Sequence, residues 1–223
     1  MLAQIPVQHD SYSAVAGPGL LSLLLLAAYL LGSIPFGYLI VKLREGRDIR
    51  AAGSGNIGAA NVTRTAGKAA GVLTLLLDAA KGYLAVWLAA WLTAGDAAVM
   101  IASALAAIVG HMFTIFLKFK GGKGVATGVG AFLPICWMAV LGALGVWIII
   151  VVAFRYVSLG SMLASLSLPL LIYFLYDVPP GGAQAVSQWT VVLGAVAAAV
   201  LIVAKHHENI GRLVAGREPR LKL

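Results

Sequence analysis

Residues 20–31, 84–92 and 138–153 run without a single charged side chain. Apolar runs of this kind place the chain in a bilayer. In hydrocarbon every backbone N–H and C=O must be bonded within the protein, which leaves helices or a closed barrel. Barrel strands alternate apolar and polar residues, and these runs do not. The fold class is therefore all-α, a polytopic helical membrane bundle. Composition agrees where it decides something: 11% of residues are charged, against about a quarter in soluble domains. No repeat, low-complexity tract or separate soluble unit stands out, so residues 1–223 are expected to form one domain. The first sixteen residues carry no Lys or Arg. A signal peptide needs a basic n-region, so the first apolar run is expected to be a retained span.

The charges between the apolar segments set the topology. Segments lie near 18–42, 69–94, 96–117, 124–153, 157–176 and 187–204. Basic residues crowd the 42–68 loop (Lys42, Arg44, Arg47, Arg50, Arg64 and Lys68), the 118–123 loop (Lys118, Lys120 and Lys123) and the tail (Lys205, Arg212, Arg217, Arg220 and Lys222). The N-terminal tail, the turn near Ala94–Asp96 and the 177–186 loop have none. Cytoplasmic loops are the basic ones. Every count agrees when the N-terminus is outside, the C-terminus is cytoplasmic and 124–153 crosses twice, turning near Leu133–Pro134. That makes seven transmembrane helices. Thirty residues of helix rise about 45 Å, whereas two full crossings need about 60 Å. One of the pair must then be short, a broken helix starting in the glycine-rich 121–130 stretch, which is tolerated where it lines a buried polar site.

Three polar stretches fall on the cytoplasmic side of this topology. The first, 53–64, reads Gly-Ser-Gly-Asn-Ile-Gly-Ala-Ala-Asn-Val-Thr-Arg. Its glycines allow backbone N–H groups close to an oxyanion, and Arg64 offers a fork of donors to phosphate. Gly53-x-Gly55-x-x-Gly58 fits the dinucleotide fingerprint, but no strand precedes it and no βαβ unit follows. The second, 118–128, pairs Gly121, Gly122 and Gly124 with Lys123 ahead of a predicted helix, a phosphate-binding arrangement. It lacks the order and spacing of a Walker A loop. The third, 205–218, puts His206 and Asn209 on one helix face at i, i+3, with Arg212 three further on. A histidine there can move a proton or donate to an oxyanion.

Other polar residues have simpler readings. Asp78 and Lys81, i and i+3 in a span, are expected to be a structural ion pair. Ser158 and Ser161 either donate to a phosphate or let helices pack closely. His111 is expected to be structural. Cys136, the lone cysteine, is apolar filler, and no Cys/His spacing fits a structural zinc site.

With these residues identified, the chain resembles the acyl-phosphate-dependent glycerol-3-phosphate acyltransferases, the PlsY family. The likeness runs from Gly32-Ser33-Ile34-Pro35-Phe36-Gly37 to Gly216-Arg217-Glu218, with three motifs in order and spacing. It implies seven helices, an outside N-terminus and an active site facing the cytoplasm of a bacterial inner membrane. It implies catalytic roles for Ser54, Arg64, His206 and Asn209, and substrate contacts for Asn56, Asn61, Gly121, Gly122, Lys123 and Gly124; Ser158 and Ser161 join the expected substrate contacts from their helical spacing near the cytoplasmic face. Glu218 would be structural. Thr114 stands where the family usually has a proline. No cofactor, metal or nucleic acid is implied. The substrates would be acyl phosphate, supplied transiently by a peripheral phosphate acyltransferase, and glycerol 3-phosphate. The His-x-x-x-x-Asp motif of soluble-type acyltransferases is absent, since Phe116 follows His111 and Gly211 follows His206 at that spacing. His206 is left as a general base or an orienting donor. The rival reading, a transporter for a phosphorylated anion, needs a polar path across the membrane, whereas these polar residues gather on one side.

Overall fold

The computed structural model of the chain describes residues 17–176 and 184–221. The N-terminal tail and most of the expected 177–186 outer loop lie outside the described residues. Among the described residues all regular elements are helical: α1 Pro18–Ser33, α2 Phe36–Glu45, α3 Ala59–Ala66, α4 Lys68–Leu92, α5 Ala97–Met112, α6 Val125–Phe154, α7 Val157–Leu175, α8 Gln184–Ala204 and α9 His207–Val214. Single 3-10 turns occur at Ile49–Ala51 and Ile115–Leu117.

Local chemistry sets the ends. Pro18 opens α1 at a position where its missing N–H costs nothing. The expected 18–42 segment is two helices, because Pro35 pushes Ile34 out of the helical region (ψ 116°). Gly46 stops α2 with a left-handed φ of 71°. Asp96 caps α5 by accepting from the N–H groups of Ala98 and Val99.

Layers of the core give the directions. Leu24, Ala89 and Val99 form one apolar cluster; Ala28, Ala85 and Ala107 form the next. Going up in α1 therefore means going up in α5 and down in α4. Small residues let these helices touch. A Cβ on Gly82 would strike the Thr127 carbonyl, and one on Gly130 would strike that of Ala79.

Helix α6 is the exception to straight passage. Its first half packs Gly124 beside Met112, Gly128 beside Ile108 and Ala131 beside Ala104, so it runs against α5. Cys136 then has non-helical torsions (φ −152°, ψ 83°). Its Sγ donates to the Leu175 carbonyl at the end of α7. Beyond it, Gly142 meets Leu171 and Trp147 meets Gly160, so the second half runs against α7. Both ends of α6 therefore lie at one end of the bundle. The reversal falls at Cys136 rather than at Leu133–Pro134, and Pro134 sits in the last turn of the short first half.

Among the described residues five helical segments are long and apolar enough to cross a membrane, or six if the bent pair α8–α9 counts as one; α1 and α2 together make one of the five and α6 another. Large apolar side chains such as Trp91, Ile149, Phe174 and Leu193 stand exposed on their flanks, as a lipid-facing surface requires. Inside, Asp78 and Lys81 of α4 do pair, at 2.7 Å and almost completely buried.

Candidate active site

The first polar stretch is a loop folded around one amide. Asn61, 2% exposed, accepts from the Ser54 N–H at 2.9 Å and donates to the carbonyls of Ala52 and Asn56. Asn56 in turn accepts from the Gly58 N–H. Gly53 is left-handed (φ 61°), and a Cβ there would fall on the Asn61 oxygen. Asn61 spends both its oxygen and its amide nitrogen on holding the loop, and Asn56 spends its oxygen there. What the loop presents is Ser54 and Arg64, both exposed.

The second stretch passes under the end of α5. Gly122 N–H donates to the His111 carbonyl at 3.0 Å and Gly121 N–H to that of Met112 at 3.2 Å. The expectation that these two amides cradle phosphate does not hold, because both donate within the protein. The glycines are there for close approach: a Cβ on either would strike the last turn of α5. Gly124, with φ 81°, turns the chain into α6. The amides of that helix's first turn have no intrahelical acceptor.

The third stretch meets the second at Lys123, whose ammonium donates to Asn209 Oδ1. The Asn209 amide group donates to Glu218 Oε1 at 2.6 Å. The same oxygen accepts from Ser158, also at 2.6 Å. Glu218 Oε2 accepts from Arg212 Nε at 2.7 Å. One glutamate thus ties α7, α9 and the tail together, and through Asn209 it reaches Lys123. The tail is fixed further by the Leu221 N–H, which donates to the Arg155 carbonyl at 2.7 Å. Burial raises the Glu218 pKa, but bonds from Ser158, Asn209 and Arg212 outweigh it and hold the carboxyl below its ordinary value.

His206 is 3% exposed. Its Nδ1 lies 2.8 Å from the Ile202 carbonyl. A carbonyl only accepts, so Nδ1 carries the proton and the neutral ring keeps its lone pair on Nε2. Burial, aided by Lys123, pulls its pKa down to about 4. Burial and the positive field of Arg212 pull that of Lys123 down to about 8, with Arg64 adding to that field. Arg64, Lys123 and Arg212 therefore face Glu218 and Glu208 in one cluster with an excess of positive charge.

The structure brings Lys123, Ser158, His206, Asn209 and Glu218 together and sets Arg64 within their field. It does not bring Ser161, which donates to the Val157 carbonyl and accepts from the Trp147 indole. That serine serves helix packing. Arg212 is the residue whose place sequence reasoning left open. The signal was its spacing, three residues after Asn209 and six before Glu218.

Comparison with known proteins bears on the whole of this arrangement. The family model described as glycerol-3-phosphate acyltransferase matches residues 22–216. A glycerol-3-phosphate acyltransferase of Syntrophotalea carbinolica is 47% identical over 201 residues, covering 90% of this chain and 97% of that protein. One from Trichlorobacter lovleyi is 47% identical over 195 residues, covering 87% and 94%. Among solved structures, the glycerol 3-phosphate form of PlsY, an integral membrane glycerol 3-phosphate acyltransferase, superposes with a TM-score of 0.82 at 40% identity, covering 91% of this chain and 96% of that one. The lysophosphatidic acid form of PlsY gives 0.79 at 39% identity, covering 91% and 95%. The chain belongs to the glycerol-3-phosphate acyltransferase family.

Proposed function

We propose that this protein transfers a fatty acyl group from acyl phosphate to the sn-1 hydroxyl of glycerol 3-phosphate, releasing lysophosphatidate and inorganic phosphate. The observation that carries the reading is the positive excess around Lys123 at one end of an apolar bundle, in a relative of proteins captured with glycerol 3-phosphate and with lysophosphatidic acid. The chain would cross a bacterial inner membrane seven times, with the N-terminus outside and the cluster facing the cytoplasm. The opposed halves of α6 support that count. The acyl tail lies against the helices, and acyl phosphate arrives from a peripheral phosphate acyltransferase.

Acyl phosphate is a mixed anhydride with a good leaving group. The task is to hold two anions together and aim a hydroxyl at a carbonyl. Arg64 and Lys123 supply the field, Ser54 orients a substrate oxygen, and the first turn of α6 offers free amides. His206, with Nδ1 protonated, accepts from the attacking hydroxyl through Nε2 and does not donate to the oxyanion. The hydroxyl oxygen bonds to the acyl carbon as the carbon–phosphate oxygen bond breaks. The hydroxyl proton passes to the departing phosphate, with His206 as the orienting acceptor. Asn209 and Glu218 hold Lys123 in place.

The test is acyl transfer by the purified protein in lipid, with glycerol 3-phosphate and either palmitoyl phosphate or palmitoyl-CoA. Lysophosphatidate from the acyl phosphate alone is the expected result. No product from either donor, in a folded sample, would overturn the assignment and reopen the transporter reading.

A further inference from the structure

A second polar cluster lies inside the bundle beneath the lysine–glycine loop. Lys81 Nζ stands 2.7 Å from Asp78 Oδ1, 2.9 Å from His111 Nδ1 and 2.8 Å from the Ile34 carbonyl. An ammonium only donates, and this one bonds His111 Nδ1 and the Ile34 carbonyl while pairing with Asp78 as an ion. His111 Nδ1 is therefore an acceptor, and the ring proton is on Nε2. That fixes the ring's orientation as well as its tautomer. The Nε2 edge abuts Gly122, so closely that a Cβ on that glycine would coincide with it. The backbone of the same histidine accepts from the Gly122 N–H. The residue after Gly122 is Lys123. Both faces of the loop's pivot thus meet one buried residue, one through its backbone and one through its ring, and the ring is itself held by a buried ion pair.

We infer that Asp78, Lys81 and His111 are positioning residues that hold the loop at Gly122 and so determine where the Lys123 ammonium stands. The trio touches no proposed substrate atom; it acts through the loop. This rests on the reading that Lys123 holds the phosphate of glycerol 3-phosphate.

The geometry makes the idea testable by a swap. Gly122→Ala puts a methyl into the imidazole and displaces the loop. His111→Ala removes the strut and lets the loop sag. Together, the new methyl occupies space the ring has vacated. Each variant is assayed for KM and kcat with glycerol 3-phosphate, after size exclusion shows it folded. His111→Ala is expected to raise KM about tenfold with kcat within about twofold, because misplacement of the binding group is what changes. Gly122→Ala should be worse, and the double variant better than Gly122→Ala, a coupling that independent sites would not show. His111→Gln keeps an acceptor for Lys81 without the ring; it should match His111→Ala and stands in if that variant does not fold. Lys123→Ala is the separate control. If it leaves KM unchanged, the phosphate assignment itself falls. If it raises KM while the double variant is as poor as Gly122→Ala, the phosphate assignment stands and the positioning inference is overturned.

Discussion

Two lysines in this molecule sit beside acids, and they are used in opposite ways. Lys81 is sealed: it donates to His111 Nδ1 and the Ile34 carbonyl, its side chain is 1% exposed, and Asp78 balances its charge at 2.7 Å. Lys123 is open: Asn209 is its one side-chain partner among the described residues. Around it Arg64 and Arg212 match the carboxylates of Glu208 and Glu218, so the charge of Lys123 itself is the excess. A buried cluster whose charges cancel attracts no anion and serves as framework. A cluster with excess charge and unused donors is incomplete without an anion. Both pair lysine with acids, so the difference lies in burial and in whether the charges cancel.

The comparison can be broken at several points. The largest effect is expected from Arg64→Ala, which removes an exposed donor fork that stabilises nothing else. Transfer should fall by on the order of a hundredfold or more with the thermal unfolding temperature unchanged; retained turnover would sink the account of the site. Next is the pair of lysine truncations. Lys81→Met leaves a buried carboxylate unpaired and should cost about 3 kcal/mol of stability, seen as a lower unfolding temperature in detergent. Lys123→Ala should leave that temperature nearly unmoved and raise KM for glycerol 3-phosphate about thirtyfold, the loss of a charge-assisted bond. The reverse pattern would erase the distinction between framework and site.

A pH profile sharpens the same contrast. Lys123, lowered to about 8 by burial and neighbouring cations, is charged below that value and neutral above it. Because kcat/KM reports groups of the free enzyme, it should decline as pH rises through about 8. Lys123→Arg should carry that limb out of range, since a guanidinium stays charged. On the acid side His206, with its pKa near 4, keeps its Nε2 lone pair down to that pH. The smallest effect belongs to Glu208→Gln. Glu208 is well exposed and 3.9 Å from Arg212, and pairs of that kind contribute about 0.5 kcal/mol. KM should shift by no more than about twofold, which a substrate titration can resolve.

Much of this was legible in the chain because it depends on counts. The alternation of basic and uncharged loops agrees with the opposed directions of α1 and α4 and of α4 and α5, and the shortage of residues in 124–153 agrees with the short first half of α6. The three polar loops converge because they lie at one end. Hydrogen-bond partners were not legible. Asn61 looked like a ligand for substrate and instead bonds Ser54, Ala52 and Asn56. Gly121 and Gly122 looked like anion-binding amides and instead bond α5. An amide has the same donors in either setting, and only tertiary distance decides which acceptor is nearer. The role of His111 as neighbour to Gly122 was hidden for the same reason, since the two are eleven residues apart and joined by a loop.

The tail that carries Glu218 is laced to the α6–α7 turn by Ser158, Arg155 and, more loosely, Tyr156, which accepts from Arg220. Glu218 is also the residue that sets Asn209 and Arg212. The segment after α9 therefore works as a strap: one carboxylate carries the tension of three elements, and cutting it would free Asn209, Arg212 and the α6–α7 turn together.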